Sequence, residues 1–183
     1  MHRMADGLRV WSGARNKKGL VHGAAGNVGA YAVQLARRVA HEVVATGFSH
    51  DAEYLQTLGA HRVIDVQMSR FEEVLSDVDV VIDTLGGDTQ DRSFAVLKRG
   101  GVLVSAAAEP DQQKAVRYGV RALFILVDVS SRRLEQLATL IEAGELITSV
   151  GDVLPLAEAR IAHELLAGKP HKRGKIVLRV DGS

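Results

Sequence analysis

The sequence of 183 residues contains no cysteine, only three prolines and one tryptophan, and its aromatic content is 4%. Without cysteine there is no disulfide framework, no thiolate zinc site and no cysteine nucleophile, and the redox compartment stays undecided. No apolar run approaches the roughly 18–20 residues needed to span a bilayer. The opening MHRMADGLRVWSGARNKK is basic but lacks the apolar stretch of a secretory signal, so a cytoplasmic protein without membrane attachment is expected. The net charge of +1 advertises no nucleic-acid partner. Hydrophobic residues at 46% and charged residues at 25% are ordinary for a globular chain and exclude a disordered or low-complexity one. What is plentiful is glycine, 18 residues, and its placement is informative.

From Gly19 onward, short β-branched runs alternate with helical patterns. GLVHG (19–23) reads as a buried strand, and Val28, Tyr31, Ala32, Leu35, Ala36 and Val39 then recur at helical spacing. EVVAT (42–46), HRVIDV (61–66), DVDVVIDTL (77–85), VLVSAA (102–107) and RALFILV (121–127) read as five further strands. A polar helix start at Ser49–Asp51 continues through Leu55 and Leu58 to Gly59. Phe94 and Leu97 mark a helix ended by Gly100 and Gly101, and Leu134, Leu137, Ala138 and Ile141 another, stopped at Gly144. A short helix over roughly 156–167 and a last strand, KIVLRV (175–180), close the chain. Apolar strands alternating with helices predict an α/β fold: a doubly wound, mostly parallel sheet of order 3-2-1-4-5-6 with helices on both faces. The expected organisation is a tail over 1–18 and one dinucleotide-binding domain over 19–180, the C-terminal helix and strand included.

The first strand runs into Gly23-Ala24-Ala25-Gly26-Asn27-Val28-Gly29 and a helix follows. Strand, glycine turn and helix N-terminus together make a dinucleotide-binding context. Gly26 would let backbone approach a pyrophosphate, Gly29 would let helix pack on strand, and the first N–H groups of the helix would hold the anion. Read as GxGxxG, the pattern departs at Ala24; read as GxxGxxG from Gly23, it is complete. An NAD site usually places an acid at the end of the second strand to bind the ribose hydroxyls. Here that stretch is Thr46-Gly47-Phe48-Ser49-His50-Asp51, with no acid at the strand end. Gly47 leaves room, Ser49 and His50 can donate to a 2′-phosphate, and Asp51 has the place of a helix first-turn acid. NADP(H) is therefore expected ahead of NAD(H), although Ser49 also suits a plain N-cap.

Other chemistries lack their residues. Tyr31, Tyr54 and Tyr118 are followed four positions on by Leu35, Leu58 and Ala122, so a Tyr-x-x-x-Lys reductase dyad is excluded. No histidine falls in an HExxH pattern and no Gly-x-Ser-x-Gly elbow occurs. His22 reads as a satisfied core histidine, Asp83 as a partner of a nearby loop, and KPHKRGK (169–175) as a solvated loop. No residue is assigned as catalytic and no metal site is expected.

VHGAAGNVGAYAVQLAR (21–37) resembles the cofactor signature of the medium-chain dehydrogenase/reductases, in their zinc-free quinone oxidoreductase branch. LGAHRVID (58–65), VDVVIDTLGGDT (78–89), LKRGGVLVS (97–105), GDVLPLAEARIAHELL (151–166) and GKIVLRV (174–180) match in order, so the resemblance covers about 19–180. It implies an NADPH-dependent oxidoreductase that passes hydride to a quinone or an activated alkene or carbonyl. It further implies that Gly26, Asn27, Val28 and Gly29 cradle the pyrophosphate and that Ser49 and His50 hold the 2′-phosphate. Thr84, Leu85, Gly86 and Gly87 would line the adenosine side, and Ser105, Ala106 and Ala107, with Phe124, Ile125 and Leu126, would approach the nicotinamide. Gly23, Ala25, Thr46 and Gly47 complete the candidate set.

The family also has an N-terminal, GroES-like catalytic domain forming the other wall of the active-site cleft. Roughly 18 residues precede the first strand here and do not resemble it. The expectation is a cofactor-binding half: part of a longer enzyme, a non-catalytic NADP(H)-binding or sensing paralogue, or a partner for a separate catalytic-domain chain. Apolar segments 153–156 and 175–180 would then pair with each other, meet a second subunit, or fray. Residues 121–127 are expected to form a homodimer edge.

Overall fold

The structure is a computed structural model and describes residues 16–126 and 129–180; the tail over 1–15 and residues 127, 128 and 181–183 lie outside the described residues. Six parallel strands make the main sheet: β1 (Lys18–Val21), β2 (Glu42–Gly47), β3 (Arg62–Asp65), β4 (Val78–Asp83), β5 (Leu97–Ser105) and β6 (Arg121–Phe124). Their order is β3-β2-β1-β4-β5-β6, the doubly wound order expected. Helices α1 (Asn27–Arg37), α2 (Ala52–Thr57, entered by a 3-10 turn over Ser49–Asp51), α3 (Phe71–Val74), α4 (Gly87–Ser93) and α5 (Gln112–Tyr118) occupy the connections.

Strand alternation divides the core in two. Val21, Val43, Ala45, Val80, Val102 and Val104 pack with Ala30, Val33 and Ala36 of α1, while their neighbours Leu20, Val44, Val81 and Leu103 pack with Phe71 and Phe94. Successive residues point to opposite faces of a sheet, so two clusters sharing the same strands mean that both faces are covered.

Boundaries differ from expectation: the sixth strand, expected over 121–127, ends at Phe124, and the fifth, expected over 102–107, begins at Leu97 and ends at Ser105. The helix anticipated around Phe94 and Leu97 stops at Ser93, and Leu97–Gly101 belongs to β5. Phe94 and Leu97 are buried in the same cluster, so a three-residue spacing imitates a helical face. The glycines there do not end a helix; Gly100, at φ 79°, lies in an irregularity between the pairings Val78 with Leu97 and Val80 with Val102. Helix α5 was not anticipated, because only Ala115 in it is buried and no apolar period exists. Its signal was the cap: the Asp111 carboxylate accepts from the Gln113 and Lys114 N–H groups at 2.7 and 3.0 Å.

Chain contacts divide the molecule into a unit ending at Leu137 and a second from Ala138, the boundary falling within α6 (Ser131–Glu142). The second unit holds β7 (Val150–Pro155), a 3-10 turn over Leu156–Glu158, α7 (Ala159–Leu166) and β8 (Lys175–Arg179). Of the three fates expected for its apolar segments, mutual pairing is the one found: β7 and β8 run parallel, with Val153 opposite Val177 and Leu154 opposite Leu178. Among the described residues no helix is long and apolar enough to cross a membrane.

Candidate functional site

The sheet order changes direction between β1 and β4, and in such sheets the crevice beyond the strand C-termini at this point is where ligands bind. A cleft of about 400 Å³ lies there. Its walls are the turn Gly23 to Val28, the end of β2 from Thr46 to Phe48, and Thr84 and Leu85 after β4.

The turn is built by close backbone approach. Gly26 N–H donates to the Gly23 carbonyl at 3.0 Å, and the Gly26 carbonyl accepts from Ala30 N–H at 2.9 Å to start α1. A Cβ on Gly29 would fall on the Gly23 carbonyl oxygen and within 2.7 Å of Ala24 Cα, so glycine there is what lets α1 lie against the turn. The N-cap residue Gly26 has no side chain to satisfy the first N–H groups of α1, and the first turn carries no acid. Asn27 and Val28 are exposed at this end. An uncapped helix N-terminus of 11 residues opening on a cleft is an anion-binding arrangement.

Gly23, Ala25, Gly26, Asn27, Val28, Thr46, Gly47, Thr84 and Leu85 of the candidate set line this cleft. Gly29 lies beneath it as packing. Ser49 and His50 are exposed just past β2 and do not line it. Ser105 and Phe124, the last residues of β5 and β6, pair with each other; Gly86, Ala106, Ala107, Ile125 and Leu126 follow the ends of β4, β5 and β6, and none of these seven lines the cleft. Ser105 is fully buried. Its hydroxyl donates to Asp83 at 2.8 Å and accepts from the Ala107 and Ala108 N–H groups, so it shapes the turn.

Phe48, Asp51 and Val66 line the cleft but were not in the candidate set. Asp51 is a first-turn acid, as expected; it accepts from the Phe48 N–H at 3.1 Å, which turns it toward the cleft. Val66 follows β3, and its N–H donates to the Gly47 carbonyl at 3.1 Å. The signal for Val66 was the predicted strand order itself, which sets the end of β3 beside the end of β2.

Two buried polar residues hold the strand ends in place. The Asp83 carboxylate accepts from the Leu85 and Gly86 N–H groups at 3.0 and 2.9 Å, and from Gln90 and Ser105 at 3.0 and 2.8 Å. Burial pushes this carboxyl up, but the Gly86, Leu85, Ser105 and Gln90 hydrogen bonds together outweigh it, so it sits below its ordinary value and stays charged. This is the loop partnership expected of Asp83.

His22 is fully buried, with Nδ1 3.0 Å from the Thr46 hydroxyl and Nε2 3.0 Å from the Ser93 hydroxyl. Ser93 donates its own proton to the Thr89 carbonyl at 2.7 Å, so Nε2 carries the imidazole proton and Thr46 donates to Nδ1. It is the satisfied core histidine expected. It forms the floor of a second hollow of about 460 Å³ that shares Thr46, Val66 and Leu85 with the cleft.

Burial lowers the His22 pKa to about 4 from 6.5, the pull of Asp83 only partly opposing it. The unfolded chain takes up this proton near the ordinary value and the folded chain does not. Stability from neutral His22 is therefore complete above about pH 6.5 and is lost as the pH falls toward about 4, by about 3 kcal/mol in all. Urea midpoints measured from pH 7 to 4.5 are expected to fall more steeply in the native chain than in His22→Gln. Parallel curves would show that His22 carries no such linkage.

The family profile described as zinc-binding dehydrogenase matches residues 58–178. The chain is 34% identical to a 2-haloacrylate reductase of a Burkholderia species, over 87% of this chain and 54% of that protein. It is 32% identical to an acryloyl-coenzyme A reductase of Metallosphaera sedula, over 94% of this chain and 53% of that one. The solved structure of a quinone oxidoreductase from Coxiella burnetii superposes with a TM-score of 0.84 at 30% identity, covering 94% of this chain and 56% of that one. The chain spans about half the length of the curated relatives it matches.

The family's description implies zinc, and the described residues do not fit a zinc site. The sequence has no cysteine, and among the described residues no group of three or more His, Asp or Glu is placed to hold a metal ion. They do fit a nicotinamide dinucleotide: a glycine cradle a Cβ would fill, an uncapped helix end, and a cleft at the topological switch point. Sequence profile, strand order and cradle agree: this chain belongs to the zinc-binding dehydrogenase family of the medium-chain dehydrogenase/reductase superfamily, and corresponds to its cofactor-binding domain.

Proposed function

We propose that this chain is the cofactor-binding half of an oxidoreductase that uses NADP(H) to reduce a quinone or an activated alkene or carbonyl. The observation that carries the reading is the cleft at the switch point, walled by the Gly23–Val28 turn and the uncapped start of α1. When bound, the nicotinamide supplies the hydride. The chain's own residues bind and orient. The N–H groups of Asn27 and Val28 take the pyrophosphate, with Gly26 keeping the space above them open. Phe48, Val66 and Leu85 offer apolar walls to the adenosine. The strand end Thr46-Gly47-Phe48 carries no acid, which favours NADP(H) over NAD(H). In this reading Ser105–Ala107 and Phe124–Leu126, at the ends of β5 and β6, bound the nicotinamide end. Positioning is then the main contribution of this half.

The substrate class is supported by the names of the relatives, reductases of acrylates and quinones. The second wall of the active site would come from a catalytic domain, in a longer protein or on a separate chain. Strand β6 is an edge of the described sheet, and an apolar edge is seldom left bare. Pairing with its two-fold mate through residues 121–127, of which 127 lies outside the described residues, would give a homodimer.

A second reading, a nucleotide-binding or sensing module without catalysis, is favoured by one observation. Among the residues lining the cleft only Asp51 is ionisable, and it is already bonded to the Phe48 N–H. The test is fluorescence titration of the purified chain with NADPH and NADH, set beside NADPH consumption with a quinone and an enone, and its mass by light scattering. Micromolar NADPH binding and a dimer mass are expected. Binding without turnover would select the module reading; no binding of either nucleotide would defeat both.

A further inference from the structure

We propose that Asp65 is a specificity-determining residue for the cofactor: it holds the Ser49 hydroxyl and stands at the ribose end of the cleft, disfavouring a 2′-phosphate relative to a free 2′-hydroxyl. This rests on the reading of the cleft as a dinucleotide site.

The placement comes from the sheet. Strands β2 and β3 pair in parallel with Gly47 opposite Asp65, so the residues after each strand emerge side by side. Gly47, Phe48 and Val66, which flank this pairing, all line the cleft, and Asp65 and Ser49 stand next to them just outside its walls. Across the gap the Ser49 hydroxyl donates to Asp65 Oδ2, while Asp65 Oδ1 accepts from the Gln67 N–H at 2.8 Å. The carboxylate is thus fixed from both sides.

The chemistry then has a direction. A serine hydroxyl has a single proton. With that proton given to Asp65, Ser49 offers a ligand only lone pairs, and a phosphate dianion has no proton to give them. The Asp65 carboxylate also repels the added negative charge. A free 2′-hydroxyl behaves oppositely, because it can donate to either oxygen acceptor. The Ser49 and Gln67 hydrogen bonds hold the Asp65 carboxyl below its ordinary value, so it is charged at neutral pH. The other ionisable groups at this end do not reverse the field. Asp51 is a second carboxylate, His50 lies 3.6 Å from it, and Arg70 is paired with Glu72 at 2.8 Å. Asp65 therefore opposes the preference for NADP(H) that the acid-free end of β2 sets up, and the chain should discriminate less than that strand end alone would allow.

Asp65→Asn keeps an acceptor for Gln67 and removes the charge. NADPH affinity is expected to rise about tenfold, the scale of one half-exposed charge acting on a nearby dianion, while NADH affinity moves by less than about twofold on the same scale. Ser49→Ala in the Asp65→Asn background should remove part of the gain, since the freed hydroxyl supplies it. Raising salt should shrink the difference between native chain and variant, because the repulsion is screened. Equal changes for NADPH and NADH, or no change in either, would overturn the proposal while leaving the dinucleotide reading intact. Absence of binding by both nucleotides to both proteins would instead overturn the dinucleotide reading, and this proposal with it.

Discussion

Replacing Gly29 with alanine is expected to cost the fold at least about 3 kcal/mol, a large share of the roughly 5–15 kcal/mol that holds a domain together. The added Cβ meets backbone, not a side-chain end that can swing away: the Gly23 carbonyl oxygen, Gly23 C and Ala24 Cα. Retreat of α1 would draw Ala30, Val33 and Ala36 away from Val21, Val43 and Ala45 of the sheet, against which they are packed. The turn cannot move either, since Ala24 N–H donates to the Thr46 carbonyl and the Gly23 Cα faces Thr84 and Leu85. Urea unfolding followed by far-UV circular dichroism reads the effect. A midpoint within experimental error of the native chain would show that α1 does not depend on this close approach.

Gly26→Val should do the reverse, leaving the fold and removing the ligand. Gly26 sits at φ −75° and ψ 171°, which any residue adopts, and a Cβ there has one neighbour, the Gly23 carbonyl oxygen at 3.2 Å. The residue is exposed, so the stability cost is expected to stay within about 1 kcal/mol. The isopropyl group, however, fills the space over the first N–H groups of α1. NADPH affinity is expected to fall at least about 100-fold, the equivalent of losing the anion contacts of the helix end. Unchanged affinity in a folded Gly26→Val protein would move the pyrophosphate elsewhere. The two glycines are three positions apart, yet one belongs to the fold and the other to the site.

Much of this was legible in the linear sequence. Continuous β-branched runs announced strands buried on both faces, and the glycine turn between the first run and a helical period announced α1 and its anion-binding end. The misread stretch was Phe94 to Gly101. There two aromatic and aliphatic side chains facing one core cluster imitated a helix, and a strand irregularity at Gly100 imitated its end. Helix α5 escaped notice for the opposite reason: it buries almost nothing, so its only mark is the Asp111 cap.

Phe48, Asp51 and Val66 show where sequence reading of the cleft ran out. Phe48 and Val66 lie one residue beyond β2 and β3, and Asp51 closes the 3-10 turn after β2, so whether each side chain faces the cleft depends on the local turn geometry and not on the strand pattern. Residues far apart in the chain meet because sheet order decides which strand ends adjoin. Ser49 reaches Asp65 across 16 positions, and His22 reaches Ser93 across 71. The sequence by itself determined most of the elements, the parallel doubly wound class and the cradle around Gly26, because dihedral preference, alternation of faces and helix-end chemistry act within a few residues. The tertiary structure alone decided that the Ser49 hydroxyl is committed to a carboxylate, and it named the partners of two residues whose roles were legible: the Thr46 and Ser93 hydroxyls for His22, and Gln90 and Ser105 for Asp83. Those outcomes require strand ends to converge on one edge, and hydrogen bonds and burial act across that convergence, not along the chain.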